Sequence, residues 1–294
     1  MQIRLVTVAF NPGPELVTMC ESVPAACGSA QLSVEIVIVN NGDSNEYCDE
    51  LERRGCQVIN AGENLGFGRA VNLGARGCQA EWILVVNPDV VFAEDAIAAM
   101  LAASQFYPRA GVLGPKILTP EGEIYPSIRH FPRLISGTGH AVLGRVWPGN
   151  PWSKSYRSHG AVDATHAVDW LSGACLLIRR LAFEQIGGFD TDFFMFFEDT
   201  MLGEDMRRHG WESIYVHDAT ITHDQSVSWR DHPEPMIRAH HDSAYTYLSK
   251  VYARRAHAPL RAALRTGLNA RRSLHIRAAR RHQSQEDPGN NRSR

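Results

Sequence analysis

The sequence predicts an α/β protein: a Rossmann-like, mixed but mainly parallel sheet with helices on both faces, followed by C-terminal helices. Three observations lead there. Short continuous apolar runs recur along the first two thirds of the chain, most of them ending in a polar turn. Stretches of helical character separate them, the alternation expected of a sheet buried on both faces. The 294 residues, 44% hydrophobic and 21% charged, suit one large globular domain with a small appendage.

Ile3–Phe10 is the first buried strand, closed by Asn11-Pro12-Gly13-Pro14, and Glu15–Val23 is a helix entered through proline. Val34–Val39 is the second strand, and Asn40-Asn41-Gly42-Asp43-Ser44 is its polar turn. Asn45–Arg54 is helical, and Gln57–Ile59 is a short third strand. Glu63-Asn64-Leu65-Gly66-Phe67-Gly68 then opens a helix over 68–79. Its GxG is not a dinucleotide fingerprint, because Val71 replaces the third glycine and the motif follows strand three. The glycines leave two readings open: a tight turn, or close approach of a ligand to backbone N–H groups. Trp82–Val86 is the fourth strand and ends in Asn87-Pro88-Asp89. Ligands of open α/β sheets bind beyond the carboxyl ends of strands, so Asp89 is placed to hold a hard cation or, more plainly, to start a turn.

Ala93–Gln105 is a helix and Gly111–Leu113 another short strand. From Pro115 to Asp169 periodicity fades, and a long loop or lid is expected there. Arg129 within it suits bidentate contact with phosphate, or is a surface arginine. Trp170–Arg179 has the pattern of one buried strand whose Gly173 and Ala174 let another molecule approach. A helical turn at Phe183–Gly187 precedes Phe193-Phe194-Met195-Phe196-Phe197-Glu198-Asp199. An apolar wall ending in two acids is one setting for a general base; the alternative is a core strand whose last residues cap the next helix. The dipole of the helix Leu202–His209, stopped by Gly210, favours ionised acids at its start, while the wall favours neutral ones. Ser213–Val216 and Ala219–His223 have the pattern of short edge strands. Pro235–Tyr252 and Pro259–His282 are basic helices, and Ser284–Arg294 is expected to be disordered. The expected division is 1–234 for the α/β domain, 235–283 for the helical extension and 284–294 for the tail.

The net charge of −2 argues against a general nucleic-acid binder, but it conceals an asymmetry. Between Ser243 and Gln285 there are ten Lys or Arg and no Asp or Glu. Such helices suit an anionic lipid surface or a second subunit, or are simply a solvated face. No aromatic stacking motif interleaves these arginines, so RNA is the least expected partner. The six cysteines form no CxxC pair and fit reduced thiols in a cytosolic protein. The N-terminus starts directly in a strand pattern, and no apolar run approaches the length of a spanning helix.

The motifs together are more specific than any one of them. Val6-Thr7-Val8, Val39-Asn40-Asn41-Gly42, Glu63–Gly68 with Asn72, Asn87-Pro88-Asp89, Trp170-Leu171-Ser172-Gly173-Ala174, Gly187-Gly188-Phe189-Asp190 and Phe196-Phe197-Glu198-Asp199 occur in this order. In that order the chain resembles the inverting glycosyltransferases of family two, which have a GT-A fold. Pro108–Gly111, Tyr125-Pro126-Ser127, His140–Gly144 and Asn150-Pro151-Trp152 look like the mycobacterial-type rhamnosyltransferase branch. That branch moves L-rhamnose from dTDP-L-rhamnose to a polyprenyl-diphosphate-linked N-acetylglucosamine in cell-wall linker assembly.

The resemblance implies roles. Thr7, Val8, Asn40 and Gly42 would line the base and ribose pocket, and Asn64, Gly66, Phe67 and Asn72 would flank the nucleotide. Asn87, Asp89 and Arg129 complete the nucleotide-sugar set. Asp89 and His223 would hold a divalent cation, Mn or Mg. Asp199 would be the base, Glu198 would hold the acceptor, and Trp170, Gly173 and Ala174 would form the acceptor floor. A cytoplasmic enzyme peripheral on the inner face of the plasma membrane, and a possible homodimer, would follow. Three positions depart from the family pattern: Asn40 where Asp is common, Asn87 in place of the first acid of DxD, and Met201 where a further Asp is usual. The competing expectations are a family-two transferase with a different nucleotide sugar and a non-catalytic sugar-nucleotide-binding protein.

Overall fold

The computed structural model describes residues 1–132, 163–224 and 233–286. The motifs at His140–Gly144 and Asn150-Pro151-Trp152, and the last eight residues of the expected tail, lie outside them. The sheet runs in the order β3-β2-β1-β4-β11-β6-β12-β5. Its strands are β1 Gln2–Ala9, β2 Ser33–Asn40, β3 Gln57–Asn60, β4 Trp82–Val86, β5 Val90–Phe92, β6 Ala110–Leu118, β11 Cys175–Arg179 and β12 Glu212–His223. β7 (Ile124–Tyr125) adds to β6 and β9 (His166–Val168) to β12, while β8 (Ile128–Arg129) and β10 (Trp170–Leu171) form a separate two-stranded ladder. β3, β2, β1 and β4 are parallel neighbours, as are β6 and β12; β11 is antiparallel to both β4 and β6.

Alternation along the strands divides the core between the two faces. Ile3, Leu5 and Ala9 of β1 and Trp82, Leu84 and Val86 of β4 pack with α1 (Glu15–Ala26) and α4 (Ala96–Phe106). Val6 and Val8 of β1, with Ile83 and Val85 of β4, pack with α3 (Phe67–Ala75), α5 (Arg180–Ile186) and α6 (Glu198–Arg208). The apolar runs look continuous because both faces are covered. α2 (Glu46–Arg53) starts where Asn45 Oδ1 accepts from the N–H groups of Tyr47 at 3.0 Å and Cys48 at 3.4 Å. All six cysteines are free thiols.

Four expectations change. The stretch from Pro115 is not all loop: β6 continues to Leu118 and β7 folds back on it, since Gly122 with φ +83° closes the turn. Trp170–Arg179 is not one strand but β10 and β11 joined by a turn at 172–174. The two edge strands are one twelve-residue strand, β12, lying inside the sheet, with a register shift between Val216 and Thr220. The phenylalanine wall is no core strand. It is a turn with Phe196 at φ 68° and Phe197 at φ 66°.

Contacts separate a sheet unit, Met1–Asp190 with Glu198–Asp224, from a C-terminal unit that joins Thr191–Phe197 to the last helices. In the C-terminal unit, α7 (Pro233–Val251) and α8 (Ala258–Glu286) are tied by Arg272–Asp242 at 2.6 Å and by His241 against His275 at 5.3 Å. Leu260, Leu264, Leu268 and Ile276 lie on the more buried side of α8; Arg265, Arg271, Arg277 and Leu274 are exposed. Among the described residues, no helix is long and apolar enough to cross a membrane.

Gly74 is the tightest joint between α3 and the sheet: an added Cβ would lie 2.6 Å from Val6 and 2.9 Å from Val39. Gly74→Ala is expected to destabilise by about 1–3 kcal/mol through overpacking, measured as a lower denaturant midpoint; an unchanged midpoint would show that α3 is free to shift.

Candidate active site

The candidate site is built where β4 ends and β11 begins. Because the two strands are antiparallel, Cys175 pairs with Val86, and the residues before one meet the residues after the other. Asn87 N–H donates to Ala174 O at 2.9 Å, and Gly173 N–H donates to Asp199 Oδ2 at 3.0 Å. On the other side, His223 at the end of β12 places Nε2 3.1 Å from Asp89 Oδ1 and 3.3 Å from Asn87 Nδ2. Asp89, His223, Asn87, Ala174, Gly173 and Asp199 therefore form one continuous line of contacts.

At one end of the line a carboxylate and an imidazole converge, with side chains only 12% and 10% exposed. His223 Nδ1 is buried and has no hydrogen-bond partner among the described residues. An oxygen and a nitrogen donor brought together at low exposure fit a divalent cation of the Mn or Mg kind. No cluster of three or more such protein ligands occurs among the described residues, so further ligands would have to come from a bound substrate or water.

At the other end are the two acids, in the first turn of α6. They are consecutive and so point to different sides of the helix. Glu198 is buried, and its Oε2 has no hydrogen-bond partner among the described residues. Burial, and secondarily the charge of Asp199, pushes its carboxyl up to about 8. Asp199 keeps part of its surface exposed. Its carboxyl is also raised by burial, but N–H donation from Gly173, N–H and O–H donation from Thr200 at 2.7 and 3.3 Å, and the Arg129 charge all pull it back. The sequence left the helix dipole and burial in balance; burial prevails for both acids, opposed at Glu198 by one backbone N–H and at Asp199 by three donors and the Arg129 charge.

The residues expected around a nucleotide fall into two groups. Thr7 and Val8 are buried on β1, and Thr7 Oγ1 has no hydrogen-bond partner among the described residues. Asn40 donates to Asp43 O at 2.9 Å and Asn60 Oδ1 at 3.0 Å, and accepts from Gly42 N–H at 3.3 Å, so it shapes the turn after β2. Asn64 Oδ1 accepts from Gly66 N–H and from Asn41 Nδ2, both at 3.0 Å, which joins the two glycine-bearing loops. Gly66 has φ +78°, a conformation that favours glycine. Asn72 bonds a different segment. Its Nδ2 donates to Phe189 O and its Oδ1 accepts from Phe189 N–H, both at 2.8 Å, while Phe67 meets the Phe189 ring edge-on at 5.9 Å. Asn72 and Phe67 thus brace the segment after α5.

Trp170 donates Nε1–H to His130 O at 3.1 Å and packs against Gly203, one turn along α6 from Asp199. Ala174 is buried, so of the expected acceptor floor it contributes backbone. Met201 is also buried; the position where a further acid is usual faces the packed interior. Asn41 was not singled out in the sequence. Its side chain bonds Asn64 and also accepts from Leu65 N–H at 2.9 Å. Adjacent asparagines in a strand-end turn are the signal that could have marked it.

Glu198 gives the fold a pH dependence. Its carboxyl lies at an ordinary 4.5 when unfolded and about 8 when folded. The neutral acid's contribution is complete below pH 4.5 and is lost as pH rises towards 8 and beyond. Stability of the wild type should therefore fall across that window, and Glu198→Gln should flatten the fall. Denaturant midpoints at several pH values check this; identical slopes in both proteins would contradict the assignment.

Similarity to known proteins extends over most of the chain. Residues 5–187 match the family model for glycosyl transferase family 2. The chain is 39% identical over 290 residues, 94% of both chains, to the N-acetylglucosaminyl-diphospho-decaprenol L-rhamnosyltransferase of Mycobacterium tuberculosis (strain CDC 1551 / Oshkosh). It is 24% identical to the rhamnosyltransferase WbbL of Escherichia coli (strain K12), over 74% of this chain and 82% of that one. Among solved structures it aligns with GalNAc-T7 bound to UDP, GalNAc and Mn2+, with a TM-score of 0.57 and 15% identity over 91% of this chain. The alignment spans 54% of the GalNAc-T7 chain, and at that identity the likeness is one of GT-A fold alone. The chain belongs to glycosyl transferase family 2.

Proposed function

We propose that this glycosyltransferase moves L-rhamnose from dTDP-L-rhamnose to an N-acetylglucosamine carried on a polyprenyl diphosphate, with inversion at the anomeric carbon. The observation that carries the reading is the 39% identity along 94% of both chains to an enzyme with that name. The line of contacts from Asp89 to Asp199 supplies the chemistry. Asp199 accepts the proton of the acceptor hydroxyl as its oxygen bonds to the anomeric carbon. The bond from that carbon to the diphosphate breaks, and its electrons leave with the nucleotide. General-base help of this kind is typically worth roughly a hundred- to ten-thousandfold. Gly173 and Thr200 hold the carboxylate in place, so little reorganisation accompanies proton transfer. Asp89 and His223 would hold a divalent cation, which when bound supplies Lewis-acid stabilisation of charge on the departing diphosphate. Neutral Glu198 offers a buried O–H, suited to fixing a hydroxyl or carbonyl oxygen of the acceptor.

The exposed arginines of α8 suit an anionic lipid surface, where a lipid-linked acceptor resides. An enzyme peripheral to the membrane follows, through electrostatics and not a spanning helix.

Two experiments test these readings. Asp199→Asn should abolish transfer while donor binding persists, and chelation of divalent ions should suppress the wild type; unimpaired turnover in the variant would remove the base assignment. In flotation assays the chain should bind anionic vesicles at low salt, and Arg271→Glu with Arg277→Glu should weaken that binding. Absence of binding at every salt concentration would discard the membrane role.

A further inference from the structure

Arg129 was expected either at the nucleotide sugar or on the bare surface. In the structure it is exposed, and its surroundings are specific. β8 pairs with β10 so that Arg129 lies opposite Trp170. Its guanidinium sits 5.7 Å from the Trp170 ring and 5.8 Å from the Tyr125 ring. Nε donates to Pro126 O at 3.2 Å and Nη2 to Tyr125 Oη at 3.1 Å. No carboxylate forms an ion pair with it among the described residues, and Nη1 has no hydrogen-bond partner among them. Although Arg129 is exposed, its side chain is held by two rings and two hydrogen bonds. Much of the cost of ordering a long cation is thus met before any ligand arrives.

The position is informative as well. Arg129 is close enough to Asp199 for its charge to act on that carboxyl. Trp170, its stacking partner, packs on α6 one turn from Asp199. In the line of contacts, Asp89 and His223 lie at one end and Asp199, the acid on which the Arg129 charge acts, at the other. A donor diphosphate belongs with Asp89 and His223. A fixed guanidinium that acts on Asp199, with no ion pair among the described residues, fits a second phosphate-bearing group.

On the proposed function, which this inference rests on, we propose that Arg129, framed by Tyr125 and Trp170, binds the diphosphate of the acceptor. The arginine then selects acceptors that carry a diphosphate next to the sugar, and it sets that sugar against Asp199.

The test compares two acceptors at saturating dTDP-L-rhamnose: N-acetylglucosamine linked by diphosphate to a short prenyl chain, and an uncharged alkyl N-acetylglucosaminide. In Arg129→Ala the preference for the first over the second, as a ratio of kcat/KM, should fall roughly 10- to 100-fold, the size of a lost charge-assisted contact. The loss should appear in acceptor KM, and Arg129→Lys should recover part of it. Equal losses with both acceptors would overturn the proposal in favour of a structural role or an effect through Asp199 alone. A rise in donor KM instead would return Arg129 to the donor diphosphate. Should the wild type transfer to neither acceptor, the proposed function fails separately. Calorimetric binding of the prenyl-diphosphate sugar then decides for Arg129, weaker binding in Arg129→Ala upholding its role and equal binding overturning it.

Discussion

The pairing of β11 antiparallel to β4 is the constraint on which the candidate site depends. In an all-parallel sheet the carboxyl end of β4 would be flanked by the carboxyl end of its neighbour. Here it is flanked by the start of β11, so Gly173 and Ala174 come to lie beside Asn87. That one reversal lets a backbone N–H from the turn before β11 reach Asp199, while Asp89 stays on the β4 side with His223. Two carboxylates from distant segments of sequence are thereby set at opposite ends of a short run of backbone.

The acids at 198 and 199 show how neighbours in sequence acquire different chemistry. Both lie in the first turn of α6, where the helix dipole favours negative charge by a few tenths of a kcal/mol to about 1 kcal/mol. Burial outweighs this for each. What separates them is hydrogen bonding: Asp199 receives two N–H groups and a hydroxyl, whereas one oxygen of Glu198 has no partner among the described residues. Hydrogen bonding thus favours charge on Asp199 more than on Glu198. The difference within the pair is made by environment, with nothing in the side chains themselves to foretell it.

Much of the fold was legible because β1, β2 and β4 are apolar runs ended by Asn or Pro, and because helices punctuated by Gly, Pro and Asn separate them. The strand end at Asn87-Pro88-Asp89 was legible for the same reason. What sequence did not show was pairing. Period alone cannot tell that Ser172-Gly173-Ala174 breaks a strand in two, or that Ser213–Val216 and Ala219–His223 are one strand inside the sheet. Nor could it tell that Asn72 is engaged by Phe189, a contact spanning 117 positions. Arg129 was visible as a residue suited to phosphate, but its place beside Trp170 rests on the β8–β10 ladder, two residues long on each strand.

The phenylalanine wall gives the last step. Two consecutive non-glycine residues at positive φ cost roughly 1–3 kcal/mol each and persist only where the surroundings over-determine them. Within the C-terminal unit the surroundings are specific. Ser243 donates its hydroxyl to Met195 O at 2.7 Å, and Lys250 meets Asp192 at 2.6 Å. The rings of Phe196 and Phe197 lie 5.6 and 5.5 Å from His240, with Tyr247 against Phe197 at 5.6 Å. Glycine would relax this backbone at no steric cost but would remove the rings that α7 grips. The aromatic residues that looked like the dry lining of a cleft are therefore better explained as anchors. They fix the turn within the C-terminal unit, and the partners that hold them are drawn from α7, which carries none of the family's motifs.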